Sequence, residues 1–176
     1  MSTRRPSIAS SRRAIARTAT ARRSAAVGGS GRTISTSRST TRLAYAALLP
    51  TQDAAACTRF LEAARRWFAQ LGIAVTGVMT DNAKAYTSHA VQAALAAHGI
   101  RHLRTKPYRP QTNGKAERFI QTALRRWAYK KPYRTSAHRN AALPDFLDCY
   151  NVERPHRSLG RVPPLLHFLM QREQRP

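Results

Sequence analysis

The sequence predicts an α/β core preceded by a disordered basic tail. Three observations predict it: an opening without acidic residues, a change of texture at Leu43, and an alternation of strand-like and helix-like segments after it. Residues 1–50 hold ten arginines and no lysine, and the first acidic residue is Asp53. This opening is dense in Ser, Thr, Ala and Gly and shows neither a helical nor a strand period, so residues 1–42 are expected to be disordered. With 42% apolar residues among 176, the chain can bury one core of ordinary size, assigned here to residues 43–168. Residues 169–176 read as a polar tail.

The elements follow in order. LAYAALL at 43–49 is a short apolar run closed by Pro50, which suits a strand. Over 53–71, Cys57, Phe60, Leu61, Ala64, Phe68 and Leu71 recur at steps of three and four, an amphipathic helix stopped by Gly72. IAVTGVMT at 73–80 reads as one strand that runs into Asp81. A short helix near 88–98 closes at Gly99, and IRHLRT at 100–105 is the next strand. KPYRPQTNG at 106–114 carries two prolines, Asn and Gly, and is a loop. Helices near 115–130 and 138–150 complete the pattern.

A formal charge of +23 and a pI near 11.7 point to a polyanion as partner, nucleic acid first. A membrane surface is the competing polyanion. No apolar run approaches the roughly 18 residues that a membrane span needs, and no segment has signal-peptide form, so a cytoplasmic, DNA-associated protein is expected. The Arg- and Ser-rich opening is also compatible with an organellar transit peptide or a basic nucleic-acid-binding arm. Cys57 and Cys149 have no partners at metal-ligand spacing and read as reduced, half-buried thiols.

Two acids stand out only as a pair. Alone, Asp81 before Asn82 is an ordinary turn or cap residue, and Glu117 early in a helix is a favourable partner for the helix dipole. Together they lie 36 positions apart, one at the carboxyl end of a strand and the other at the start of a helix after a basic loop. Around them Arg104, Lys106, Arg109, Lys115, Arg118, Arg125 and Arg126 interleave with Tyr108, Gln111 and Asn113. Cations of this kind set register on phosphates, and amides reach bases or sugars.

With VMTDNAKAY around Asp81, RTKPYRPQTNGKAERFIQT around Glu117 and YNVERPHRSLGRVPP at 150–164, the chain resembles the integrase catalytic core of retroviral integrases and insertion-sequence transposases, which carry a D, D-35-E (DDE) triad. The resemblance implies a ribonuclease-H-like fold and DNA transposition by phosphodiester strand transfer, with homo-oligomers as the working form. It also implies two Mg²⁺ (or Mn²⁺) ions, with Asp81 and Glu117 as catalytic, metal-binding carboxylates. Hard cations are held by carboxylate oxygens, and two of them roughly 3.5–4 Å apart can activate the nucleophile and steady the leaving oxygen.

The family pattern needs a further Asp on the first strand, and this chain has no acid there; Asp53 opens the wrong helix. Catalysis is therefore expected to be impaired, the core incomplete, and the strand at 73–80 left with an unpaired edge. Codons available for TISTSRSTT at 33–41, entered from the last base of the Arg32 codon, can spell DDLHVAVDD, so the first 41 or so residues read as out of frame with an ancestral transposase. Ala83 replaces a customary Gly and Leu124 a customary basic residue. The rival reading is a non-catalytic basic DNA-binding protein; an RNA-binding module is disfavoured by the lack of an RNP-like strand or GXXG loop. His98 and His102, four apart but split by Gly99, do not read as a zinc pair.

Overall fold

The structure, a computed structural model, describes residues 19–21, 24–26, 33–38, 41–49, 51, 53–80, 82–104 and 114–174, with side chains from residue 41 onward except those of 114–117. Its strands are β1 (Ala19–Ala21), β2 (Ser24–Ala26), β3 (Thr33–Arg38), β4 (Ala44–Leu49), β5 (Ile73–Val75), β6 (Gly77–Thr80) and β7 (Arg101–Arg104). Its helices are α1 (Ala54–Gln70), α2 (Lys84–Thr87), α3 (His89–Ala97), α4 (Gly114–Ala123), α5 (Ser136–Ala141), α6 (Leu143–Asp148) and α7 (Pro164–Glu173). α4 and α6 each run on into a wider π turn, at Leu124–Ala128 and Cys149–Glu153.

β4 shows why its sequence is apolar throughout. Successive side chains of a strand point to opposite faces. Tyr45, Ala47 and Leu49 join the cluster that α1, α2 and α3 build from Cys57, Phe60, Tyr86, Val91 and Leu95. Ala44, Ala46 and Leu48 join the cluster that α4 and α6 build from Phe119, Trp127, Leu143 and Tyr150. A strand covered on both faces has no polar side to display. A third cluster closes one end, where Leu43, Phe68 and Ile73 meet Phe168 of α7.

Three expectations are corrected. Segments within 1–42 form strands: β3 pairs antiparallel with β4, β1 runs parallel to β5, and β2 runs parallel to β6. These strands owe their form to partners rather than to a local pattern, which is why no period announced them. The span 73–80 is two strands broken at Thr76, and β6 has no bare edge, because β2 lies on one side and β7 on the other. Finally, the polar tail expected from 169 is, as far as Glu173, the second half of α7, with Leu169 packed against the third cluster.

Cys57 is buried, but Cys149 is exposed rather than half-buried; both are free thiols. Ala83 has φ −60° and ψ 140°, a conformation open to any residue, so the customary Gly is not needed there. Leu124 packs against the α4–α6 cluster, where a basic side chain would lose its hydration.

Candidate active site and nucleic-acid face

β6 is the element that delivers Asp81. It runs parallel to β7, with Gly77 opposite Arg101 and Thr80 opposite Arg104, and parallel to β2, with Ala26 opposite Thr80. The carboxyl ends of three strands thus share one edge of the sheet, the edge where open α/β sheets gather ligands. Asp81 itself lies outside the described residues. Its predecessor Thr80 is buried, and the Thr80 hydroxyl lies 2.8 Å from Nε2 of His102 on β7, a hydrogen bond that ties the two strands together at this edge. Burial holds the His102 pKa below its ordinary value, with Arg104 adding to the effect, so the neutral imidazole is favoured.

Arg104 ends β7 and is exposed at that same edge. Lys106, Tyr108, Arg109, Gln111 and Asn113 lie outside the described residues. α4 opens at Gly114, one turn before Glu117, so the glutamate occupies the first turns of a helix as expected; its side chain and that of Lys115 are beyond the description. Further along α4 and the π turn that follows it, Phe119, Ala123 and Trp127 are buried at steps of four while Arg118 and Arg125 are exposed. The buried stripe anchors the helix and leaves the two arginines facing water.

Asp53 is accounted for. It caps α1, its carboxylate accepting from the Ala56 N–H at 2.6 Å and the Thr51 hydroxyl at 2.7 Å, and these bonds lower its pKa. His98 contacts Glu62 on α1 at 3.0 Å while His102 faces Thr80, so the two histidines do not converge. Among the described residues no group of three or more His, Cys, Asp or Glu could hold a metal ion. The block at 150–164 contributes a residue that the sequence did not single out, Asn151. Its buried side-chain amide accepts from the Ala44 N–H and donates to the Ala44 carbonyl, both at 2.8 Å, doing for β4 what a neighbouring strand would do.

The chain matches two family models, each described as an integrase core domain, over residues 34–110 and 98–164. They overlap and together run from the start of β3 to α7. The chain belongs to the integrase core family. That family serves DNA integration and transposition and depends in general on divalent metal ions. This integrase core is 33% identical over 87 residues to an uncharacterized 39.2 kDa protein of insertion element IS476 from Xanthomonas euvesicatoria, and it covers 49% of this chain and 25% of that one. It is also 36% identical over 92 residues to an uncharacterized Caenorhabditis elegans protein, covering 52% of this chain and 7% of the other. The chain thus spans a quarter or less of the length of these relatives. Among solved structures it resembles the catalytic core domain of BIV integrase, with TM-score 0.64, 18% identity and coverage of 86% of this chain and 94% of that one. A simian T-cell lymphotropic virus intasome chain matches with TM-score 0.70 and 20% identity, over 92% of this chain and 58% of the other. The ribonuclease-H-like integrase fold is thereby established. No helix among the described residues is long and apolar enough to cross a membrane.

Proposed function

We propose that this chain is an insertion-sequence transposase core that engages DNA but has lost most or all of its strand-transfer activity. One observation carries the reading: β2, the strand parallel to β6, is Ser-Ala-Ala, and no Asp or Glu precedes Asp53. The family pattern asks for three carboxylates around two cations, one of them on a strand beside the one that ends in Asp81. Asp81 and Glu117 are candidates for two of the three. The donor set therefore does not fit a complete two-ion site, because a hard divalent cation is not held by alanine or replaced by arginine.

What supports the DNA side is charge. Arg104, Arg118 and Arg125 are exposed at or near the sheet edge and along α4, and Lys106, Arg109 and Lys115 fall in the sequence between them. With Tyr108, Gln111 and Asn113 they are the residues we assign to DNA contact. An excess of 23 positive charges makes duplex DNA the natural partner of the whole chain. Self-association on DNA belongs to the same reading.

The test is nicking and strand transfer on supercoiled DNA with Mg²⁺ or Mn²⁺, alongside a binding assay, for this chain and its Asp81→Ala and Glu117→Ala variants. The expected result is DNA binding by all three with no cleavage by any. Cleavage by the parent that both substitutions abolish would mean that the site is complete and that its remaining acid lies where the family pattern does not put it.

A further inference from the structure

A groove of about 770 Å³ lies between the π turn that ends α4 and the one that ends α6, and neither Asp81 nor Glu117 lines it. Four cations line it, Arg126, Lys130, Lys131 and Arg154, against two carboxylates, Asp145 and Glu153. None of the six is ion-paired among the described residues.

Two of the cations lie over aromatic rings that line the groove. Lys131 Nζ sits 5.6 Å from the centre of the Tyr133 ring, and that ring is fixed by its hydroxyl, which donates to the Trp127 carbonyl at 2.9 Å. The Arg154 guanidinium sits 5.8 Å from the centre of the Tyr150 ring, which is itself wedged against Phe119 at 4.9 Å and His156 at 4.8 Å. Nη1 of Arg154 is buried without a hydrogen-bond partner. A buried guanidinium donor left without a partner is costly, which marks the Arg154 wall of the groove as short of acceptors. Pro132 stiffens the connector between the lysines and Tyr133.

We propose that this groove is a second DNA-backbone site, taking phosphodiester groups of a duplex that also contacts the α4 face. The proposal rests on the reading that the chain binds DNA. Ring-backed cations, a wall short of acceptors and a positive balance suit a phosphate, and the exposure of Lys130 and Lys131 suits a continuous polyanion.

Cys149 lines the same groove and is exposed, whereas Cys57 is buried, so alkylation of Cys149 by neutral iodoacetamide reports on occupancy. Saturating duplex DNA should slow that alkylation severalfold in the full chain. Lys130→Gln with Lys131→Gln should abolish the protection and reduce the salt slope of DNA affinity by about 2, the number of phosphate contacts removed. Arg101→Gln with Arg157→Gln removes the same charge from exposed positions elsewhere and should leave the protection intact. Protection is a ratio within each variant, so a change in the intrinsic reactivity of the thiol does not affect it. DNA that binds at saturation without protecting Cys149, or equal effects of the two double variants, overturns the groove site alone. An absence of DNA binding overturns the DNA reading together with it.

Discussion

Asn151 satisfies both backbone polar groups of Ala44 with a single amide, inside the protein, where no water can replace it. Asn151→Ala orphans a buried N–H and a buried C=O, and the expected loss is about 2–4 kcal/mol from two such groups, read as a fall in the urea midpoint with the slope unchanged. Glu62 predicts an acid limb. Hydrogen bonds from Arg65 and then Arg66 hold its pKa down to about 2 against an ordinary 4.5, despite the cost of desolvation. A carboxylate with a lowered folded pKa contributes stability above pH 4.5 that drains away as pH falls through about 2. Glu62→Gln should flatten stability across that window, as measured by urea titration at each pH. His102 acts in the same direction at a higher pH. Its folded pKa lies below the ordinary 6.5, so its contribution is whole above that value and is lost as pH falls beneath it; His102→Gln should remove this limb.

At the scale of elements, the end of α3 shows how a single glycine closes a helix. The Gly99 N–H bonds to the Ala96 carbonyl and the Ile100 N–H to the Leu95 carbonyl, each at 2.9 Å, with Ile100 buried in the same cluster as Leu95. Gly99 has φ +62°, and a Cβ there would meet nothing within 4 Å. Gly99→Ala should therefore cost only the left-handed backbone strain, about 1–2 kcal/mol, seen as a lower melting temperature without loss of fold. α1 was legible in the sequence by its period and stop signal, β4 by an apolar run closed by Pro50, and α3 by the glycine that ends it. The break at Thr76 was not, since Thr76 and Gly77 are the one mark of it in an otherwise strand-like run and the change of partner from β1 to β2 is what divides it. The π turns at 124–128 and 149–153 likewise depend on which carbonyl each N–H selects, as when the Tyr129 N–H bonds to the Leu124 carbonyl at 2.8 Å, and composition does not encode that choice. Of the candidate site, spacing pointed to Asp81 and Glu117 and composition to the basic loop, and Asp81 and most of that loop lie outside the described residues. Asn151 was hidden because its partner is a backbone, and a backbone leaves no mark in a sequence.

Over the whole molecule, the basic opening is the decisive segment. If it were a dispensable tail, a chain starting at Thr41 would melt as the full chain does. The pairing of β1, β2 and β3 with β5, β6 and β4 predicts otherwise: the shortened chain should aggregate or lose cooperative unfolding, because β6 keeps only one neighbour. Differential scanning calorimetry with sedimentation separates the two outcomes. The bond between Asn151 and Ala44 spans 107 positions, and it sets a timetable for synthesis. While the ribosome is still adding α4, α5 and α6, the start of β4 waits with bare polar groups beside its apolar run. A stall or nick anywhere before residue 151 leaves that strand open to a neighbouring nascent chain. The Asn151 block is thus a late clasp on β4, followed only by α7, and the time before it fastens leaves that strand exposed to aggregation.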